Sequence, residues 1–535
     1  MTQGFNYFRC ILNILPRERK WLFLIFAVSM VYPIHYALFY FFPPDNYVFT
    51  GGHGDEGTAL ALLKSVEWQY RDPWSLEGRT FFSNPTIPSA FVLLPLGYIA
   101  LVAGINYALF LIAAKFLFSL AYLIALYHLT KYFTRSYKEF KIAFLILLIA
   151  SGIAATLQIP AAAITGNYSF GGVFPQAYGF STDDTGLTIL GQFQHLYRLI
   201  SMFAGFAALY FFIKKRYLYS SLFSGLSILA HPFLGSLALL IVVLYAAINR
   251  NIIIRFFLIS ILFFVPWALV YMEDPSSFSA AHKQEAFLPV LLLSCGIPLL
   301  SAFYFIKKHI SKNILFALLI SSILLAIAQL SAVDLPYLKL EMSMPQYFLL
   351  QVPFFLSILI VSLMLFRKEK DKDILFLALM LTIAFAFSLT PSGYVPWFPT
   401  RFLHFLWFPI SVLAARGVIV FSKSYRIEMR KLLAVFFALS LPWIFVFNLN
   451  FQLHARDAKQ PDFFHQDEID ALSFLKQQPP GVVLSSGRSG SYIPYYTDKI
   501  SVMGGTIAGV EQRKSDYRIF VSGNDEERRK ILDKY

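Results

Sequence analysis

The sequence predicts an all-α polytopic membrane protein of about 13 transmembrane helices, with a small α/β extracytoplasmic domain at its C-terminal end. Two observations carry this. The 535 residues are 57% hydrophobic and 14% charged, with a mean hydropathy of +0.60, whereas a soluble protein carries about 25% charged residues. Runs of roughly 20 apolar residues recur, each about enough to cross a ~30 Å hydrocarbon core. A membrane β-barrel would alternate apolar and polar residues over segments of about 10, and that alternation is absent. The 57 Phe and 30 Tyr suit aromatic packing and interfacial belts, and the two cysteines, Cys10 and Cys295, give no disulfide framework.

Residues 1–20 are polar and basic and precede a span over 21–42, too long and too aromatic for a cleaved signal peptide. The first outer loop, with juxtamembrane helices, occupies 43–105. It contains Gly51-Gly52-His53-Gly54-Asp55-Glu56-Gly57, then an amphipathic helix over 58–70 that Asp55 is placed to start. Residues 88–104 hold Pro88, Pro95 and Gly97 and are read as lying along or re-entering the outer face. Further spans are expected at 106–130, 142–158, 193–213, 217–230, 233–248, 253–271, 287–306, 313–331, 346–366, 374–389, 402–421 and 432–449. His231-Pro232 separates two short ones. Beyond 449 the hydropathy falls. A helix over 467–477, strands at 482–486 and 500–503, and a last helix over 525–535 make a small α/β unit, so 1–449 is read as the membrane domain and 450–535 as a periplasmic one.

The net charge of +14 follows topology and not nucleic-acid binding. Loops on one side hold 24 Lys and Arg, against seven in the outer loops and outer span ends before the tail. This positive-inside bias places the N-terminus in the cytoplasm and the C-terminal domain outside.

The acids collect on the outer side. Asp55 and Glu56 are the candidate catalytic pair, and His53 beside them is a weak metal-ligand candidate. Either acid serves equally as a helix-start residue in an exposed loop. Asp183 and Asp184 lie in a long Gly-, Tyr- and Ser-rich loop over 166–192, suited to sugar recognition or to a plain solvated lid. His195 and Arg198 open the next span and neighbour each other on its face; Arg198 suits a phosphate or a lipid headgroup. His231 is a further candidate, with a structural role as the plainer alternative. Arg401 and His404 share a face at the mouth of a late span, where Arg401 fits a lipid-phosphate clamp or an interfacial anchor. No P-loop, His-Glu-x-x-His or Gly-x-Ser-x-Gly motif is present, and no clear strand-to-helix turn is read at Gly487-Arg488-Ser489-Gly490.

The Asp55-Glu56 pair opening a juxtamembrane helix, Asp72-Pro73-Trp74, Phe82-Ser83-Asn84-Pro85, the short basic inner loops and the outer C-terminal unit together resemble the C-type (GT-C) membrane glycosyltransferases. His231-Pro232 and the Tyr492-Ile493-Pro494-Tyr495-Tyr496-Thr497 tail make the resemblance nearest to bacterial integral membrane proteins of that architecture without an assigned activity. The resemblance implies a polyprenyl-phosphate-linked sugar donor entering from the outer leaflet and a glycan or lipid acceptor. It makes Asp55 a general base or metal-coordinating group, has Arg401 or Arg198 hold the leaving lipid phosphate, and leaves a divalent metal open. Three alternatives stay beside it: an O-antigen-type polymerase or ligase, a transporter or flippase of lipid-linked sugars, and an inactive scaffold. Spans read as nearly free of charge favour an outer-face site over a conduit.

Overall fold

A computed structural model of the chain describes residues 16–43, 45–50, 54–69, 90–149, 195–249, 259–260, 262–263, 265, 372–388, 404–426, 428–431, 433–434, 463–485, 487–502 and 510–534. The spans expected at 287–306, 313–331 and 346–366, and most of 253–271 and 432–449, lie outside these residues.

Helices dominate. α1 (Pro16–Phe41) is followed by the short strand β1 (Tyr47–Phe49), then α2 (Gly54–Lys64), α3 (Val66–Gln69) and α4 (Ala90–Ala103). The bundle continues with α5 (Tyr107–Phe133), α6 (Tyr137–Ile149), α7 (Leu196–Ile213), α8 (Tyr217–Ala230), α9 (Pro232–Ile248), α10 (Lys372–Ser388) and α11 (Trp407–Tyr425). The C-terminal segment holds β2 (Phe463–His465), α12 (Gln466–Gln477), β3 (Val482–Val483), α13 (Gly487–Thr497), β4 (Ile500–Ser501), α14 (Val510–Ser522) and α15 (Asp525–Lys534). Among the described residues, α5 and α7 are long and apolar enough to cross a membrane, and α8 and parts of α4, α9 and α11 form shorter apolar helices.

Local chemistry sets the element ends. Asn106 caps α5 by accepting from the backbone N–H groups of Ala108 and Leu109. The reversal from α4 into α5 passes through Gly104 at φ +63°, a left-handed turn that glycine adopts without a Cβ clash. His465 and Glu468 form a capping box at the start of α12. α4 has 14 residues, about 21 Å of helix, and it packs on α2 and α3; a Cβ at Gly97 would fall 2.3 Å from the Leu63 carbonyl oxygen.

The helices alternate in direction, and their charges separate to the two ends. At one end Glu18 pairs with Lys131, the Trp21 indole donates to the Tyr137 hydroxyl at 3.2 Å, and Lys214, Lys215 and Arg216 fill the turn between α7 and α8. This is the basic end. The opposite end collects β1, α2, α3, the first turns of α5, α7 and α9, and the C-terminal elements β2 and α13.

Among the described residues four charged side chains lie buried in the bundle, Lys115, Glu139, Arg198 and Arg416, so its helices are less free of charge than expected. Arg416 of α11 donates from Nε to Glu139 of α6 at 2.5 Å and from Nη2 to the Phe133 carbonyl at 2.6 Å; Arg416 and Glu139 are 6% and 4% exposed. Glu139 also accepts from the Arg135 backbone N–H at 3.0 Å. Lys115, midway along α5 and 1% exposed, sits over the Tyr36 ring at 4.3 Å.

The C-terminal segment carries more structure than its sequence announces. β3 and β4 pair in parallel, and α13 starts just after β3, so a strand-to-helix connection does stand at Gly487. Two further helices, α13 and α14, were not expected. The segment also reaches back: β2 pairs antiparallel with β1, with Tyr47 opposite His465, Val48 opposite Phe464 and Phe49 opposite Phe463.

Removing one member of a buried ion pair strands the other, at a cost of about 3–5 kcal/mol. Arg416→Met is therefore expected to lower the thermal midpoint of the detergent-solubilised protein well below that of a surface control such as Lys431→Met. An unchanged midpoint would show that the pair does not tie α6 to α11.

Candidate functional site

The acid-bearing helix differs from its sequence reading. A surface-lying amphipathic helix over 58–70 was expected; instead α2 begins at Gly54 and ends at Lys64, with α3 after a one-residue break. Asp55 and Glu56 therefore occupy the first turn, where helix amides and dipole favour negative charge. The helix is not surface-lying, because Ala59, Leu60, Ala61, Leu62 and Leu63 are all buried. Five consecutive buried residues leave no solvent face: α4 covers one side and α13 another.

The α13 side is a close aromatic fit. A Cβ at Gly57 would lie 2.8 Å from the Tyr492 ring. The Thr50 hydroxyl donates to the Tyr492 hydroxyl at 3.3 Å, and Phe464 of β2 meets the Tyr492 ring edge-on at 5.1 Å. At the far end of α2, Lys64 donates to the Tyr495 carbonyl at 2.7 Å and pairs with Asp498 at 2.8 Å. Burial, then nearby Tyr40 and Glu67, push the Tyr495 phenol up to about 12, and burial raises Tyr496 as well.

The second cluster stands on α7, α8 and α9. Small residues draw these helices together. A Cβ at Gly205 would fall 2.7 Å from the Ala238 Cβ, and one at Gly235 2.4 Å from the Ile228 Cα. Ser201 Oγ donates to the Ser227 carbonyl at 2.9 Å, and Ser227 Oγ donates to the Ser201 carbonyl at 2.8 Å. Such small residues and hydroxyl bonds are the usual means by which membrane helices pack closely.

This packing brings His195, Arg198 and His231 around Tyr197, a residue the sequence reading passed over although it lies between two candidates. The Tyr197 ring stacks on His231 at 6.0 Å and lies 6.1 Å from His195, and the Arg198 guanidinium sits over it at 5.7 Å. His195, Arg198 and His231 are all buried. His231 ends α8 and caps α9, its Nδ1 accepting from the Leu234 backbone N–H at 3.4 Å, with Pro232 at the first helical position, where its missing N–H costs nothing. His404 is buried as well, about two turns further along α7 than Arg198. The next residue, Phe405, stacks on Phe206 of α7 at 5.3 Å.

The two clusters share one apolar core. Leu196 and Ile200, on either side of Arg198, and Ala230, next to His231, belong to the hydrophobic cluster that contains Ala59, Leu60, Leu63, Phe464 and Tyr492. α2 and α7 thus share one core, with Arg198 on the face of α7 turned away from it.

His53, Asp183, Asp184 and Arg401 lie outside the described residues. No group of three or more His, Cys, Asp or Glu side chains comes together for a metal among the described residues, so the donor set seen here does not make a metal centre.

No protein-family model matches the chain, and no curated protein matches its sequence. Its fold is similar to solved structures of the oligosaccharyltransferase of the archaeon Archaeoglobus fulgidus. With the apo form it has a TM-score of 0.50 and 12% identity, covering 95% of this chain and 68% of that chain. With the form tethered through a disulfide bond to an acceptor peptide containing the NVT sequon, the TM-score is 0.50 and the identity 13%, over 96% and 68% of the two chains. A complex of the same enzyme, AglB, with an inhibitory peptide and a dolichol-phosphate gives 0.49 and 12%, over 97% and 69%. At this identity the likeness is one of fold alone: the chain folds like this oligosaccharyltransferase.

Two outcomes follow from this geometry. His231→Ala removes a helix cap and is expected to destabilise by about 1 kcal/mol, whereas His231→Asn, which supplies a capping oxygen, holds the wild-type thermal midpoint. Equal loss in both variants would show that the ring, and not the cap, is what matters. For Tyr495, the unfolded phenol ionises near pH 10, while the folded one stays neutral until about 12. Its contribution is complete below pH 10 and is lost as the pH rises toward 12, because the unfolded state releases its proton first. Alkaline unfolding followed by circular dichroism should therefore steepen in that window, and less so in Tyr495→Phe.

Proposed function

We propose that this protein is an integral membrane glycosyltransferase that transfers a sugar from a polyprenyl-phosphate-linked donor to a glycan or lipid acceptor of the cell envelope. It acts on the periplasmic face of a bacterial inner membrane, with the N-terminus in the cytoplasm. The observation that supports this reading is that the helices bearing Asp55, Arg198 and His231 meet in one apolar core, at one end of a bundle with a GT-C-like fold. Residues 1–449 make the membrane domain, and residues 450–535 form the outer unit.

The chemistry follows from the residue types. Attack on the sugar's anomeric carbon requires an acceptor hydroxyl to lose its proton, and a carboxylate within reach accelerates that step. Asp55 takes this part, and Glu56 adds negative charge beside it. The departing lipid phosphate accumulates charge, which a preorganised guanidinium stabilises. Arg198 presents a planar fork suited to two phosphate oxygens, with Arg401 as a second clamp. His195 and His231 supply further polar groups beside it, His404 is a deeper substrate contact, and Asp183 and Asp184 bind sugar hydroxyls. A solved oligosaccharyltransferase of similar fold is tethered to an acceptor peptide, which supports a transferase reading here. The end of a membrane bundle suits a lipid-linked donor, since its tail stays in the bilayer throughout.

A second reading, a transporter of lipid-linked sugars, draws on Lys115. An ionisable group buried inside a membrane bundle often marks a substrate path.

Transfer of radiolabelled sugar from polyprenyl-phosphate donors, measured in membranes, decides between the two. Asp55→Asn is expected to lower kcat by about 100-fold or more, and Arg198→Ala to lower kcat/KM by about 100-fold. Full activity in both variants would refute the site. Wild-type membranes that bind the donor but transfer nothing would favour the transporter.

A further inference from the structure

We propose that Tyr492 is a positioning residue for the Asp55 turn, so that the C-terminal segment completes the acidic half of the site; the catalytic consequence rests on the role given to Asp55 above. Three contacts bracket that turn, and all three come from residues more than 400 positions downstream. Thr50, five residues before Asp55, bonds to the Tyr492 hydroxyl. Gly57, two residues after it, lies against the hydroxyl-bearing end of the Tyr492 ring. Lys64, at the end of the same helix, is held by Tyr495 and Asp498, three and six residues beyond Tyr492.

The ring itself has no freedom. Tyr492 is 0% exposed, wedged between the Gly57 backbone and Phe464. Phe464 is in turn fixed opposite Val48 by the β1–β2 ladder, and that ladder runs directly into Thr50. Burying α2 alone requires no glycine, since any small residue facing an aliphatic side chain would exclude water. A glycine facing a fixed ring sets a shorter approach, and with it the depth at which the first turn of α2 sits. Reacting groups tolerate little displacement, with about 1 Å enough to cost on the order of 100-fold. Tyr492 thus acts through Asp55 and touches no substrate.

The test uses the full chain in membranes, with Tyr492→Phe, Tyr492→Leu and Gly57→Ala, and amounts corrected for folded protein by thermal melting in detergent. Transfer is assayed with a polyprenyl-phosphate sugar. A second readout is independent of activity: Asp55→Cys in a Cys10→Ser/Cys295→Ser background, labelled by a charged methanethiosulfonate, with and without Tyr492→Leu. Expected are a fall in kcat of about 10–100-fold for Gly57→Ala and Tyr492→Leu with the donor KM unchanged, a smaller fall for Tyr492→Phe, which keeps the ring but loses the Thr50 bond, and a several-fold change in labelling rate at position 55 with Tyr492→Leu. If Tyr492→Leu leaves both kcat per folded molecule and labelling rate unchanged, while only lowering the melting point, the contact is packing alone and the proposal fails. Full transfer by Asp55→Asn would instead sink the role of Asp55, with the labelling result still deciding whether Tyr492 holds the turn.

Discussion

The burial of α2 on every side is the constraint on which this end of the molecule depends. A helix whose residues 59–63 are all buried has no stable place in an exposed loop; it needs partners on opposite flanks. One partner, α4, follows it closely in the chain. The other, α13, is contributed by the far end, through β2 and Tyr492. Chain closure over that distance is entropically costly, and the return is a junction in which loop, bundle and tail share a single core. Asp55 and Glu56 stand in the first turn of α2, where its amides and dipole favour negative charge.

The same logic sorts the remaining charges. Backbone and side-chain polar groups inside a membrane bundle must be satisfied by the protein itself. Glu139 meets this by accepting from both Arg416 and a backbone amide, and Arg416 by donating onward to a carbonyl. The serine pair between α7 and α8 does so reciprocally. These bonds leave the helices at fixed separations, so the groups at the opposite end are held on a rigid frame. A cluster of Arg198, His195 and His231 about one tyrosine is an arrangement only closely packed helices can hold.

Much of this was legible in the sequence. The spans expected at 106–130, 193–213 and 217–230 correspond to α5, α7 and α8 within a few residues, because continuous apolar runs bounded by Lys and Arg admit one reading. His195, Arg198 and His231 were picked out as single residues, and packing then gathered them around Tyr197. What failed to show has physical causes. α2 read as amphipathic because Lys64 is charged, yet that charge is neutralised by Asp498, a partner invisible locally. α13 contains Gly487, Gly490 and Pro494, which break any helical pattern. Strands of two or three residues such as β1 and β2 carry almost no periodicity, and their pairing joins positions 47 and 465. Lys115 vanished into a 27-residue apolar helix, where one cation barely moves the mean hydropathy.

These misses fall together, on the contacts between the first outer loop and the C-terminal tail, and that concentration is informative. Local pattern reports what a segment prefers, whereas a site assembled from distant segments depends on fit: a glycine matched to a ring, a lysine to a carbonyl and a carboxylate. Gly57 alone is one more residue of a glycine-rich turn, and Tyr492 alone one of 30 tyrosines. Only their approach gives either a purpose. A tail that served merely as an appended module would be expected to meet the membrane bundle through a polar, separable interface. Here the meeting surface is a buried aromatic contact continuous with the core that α2 and α7 share, so movement of the tail cannot be separated from movement of α2.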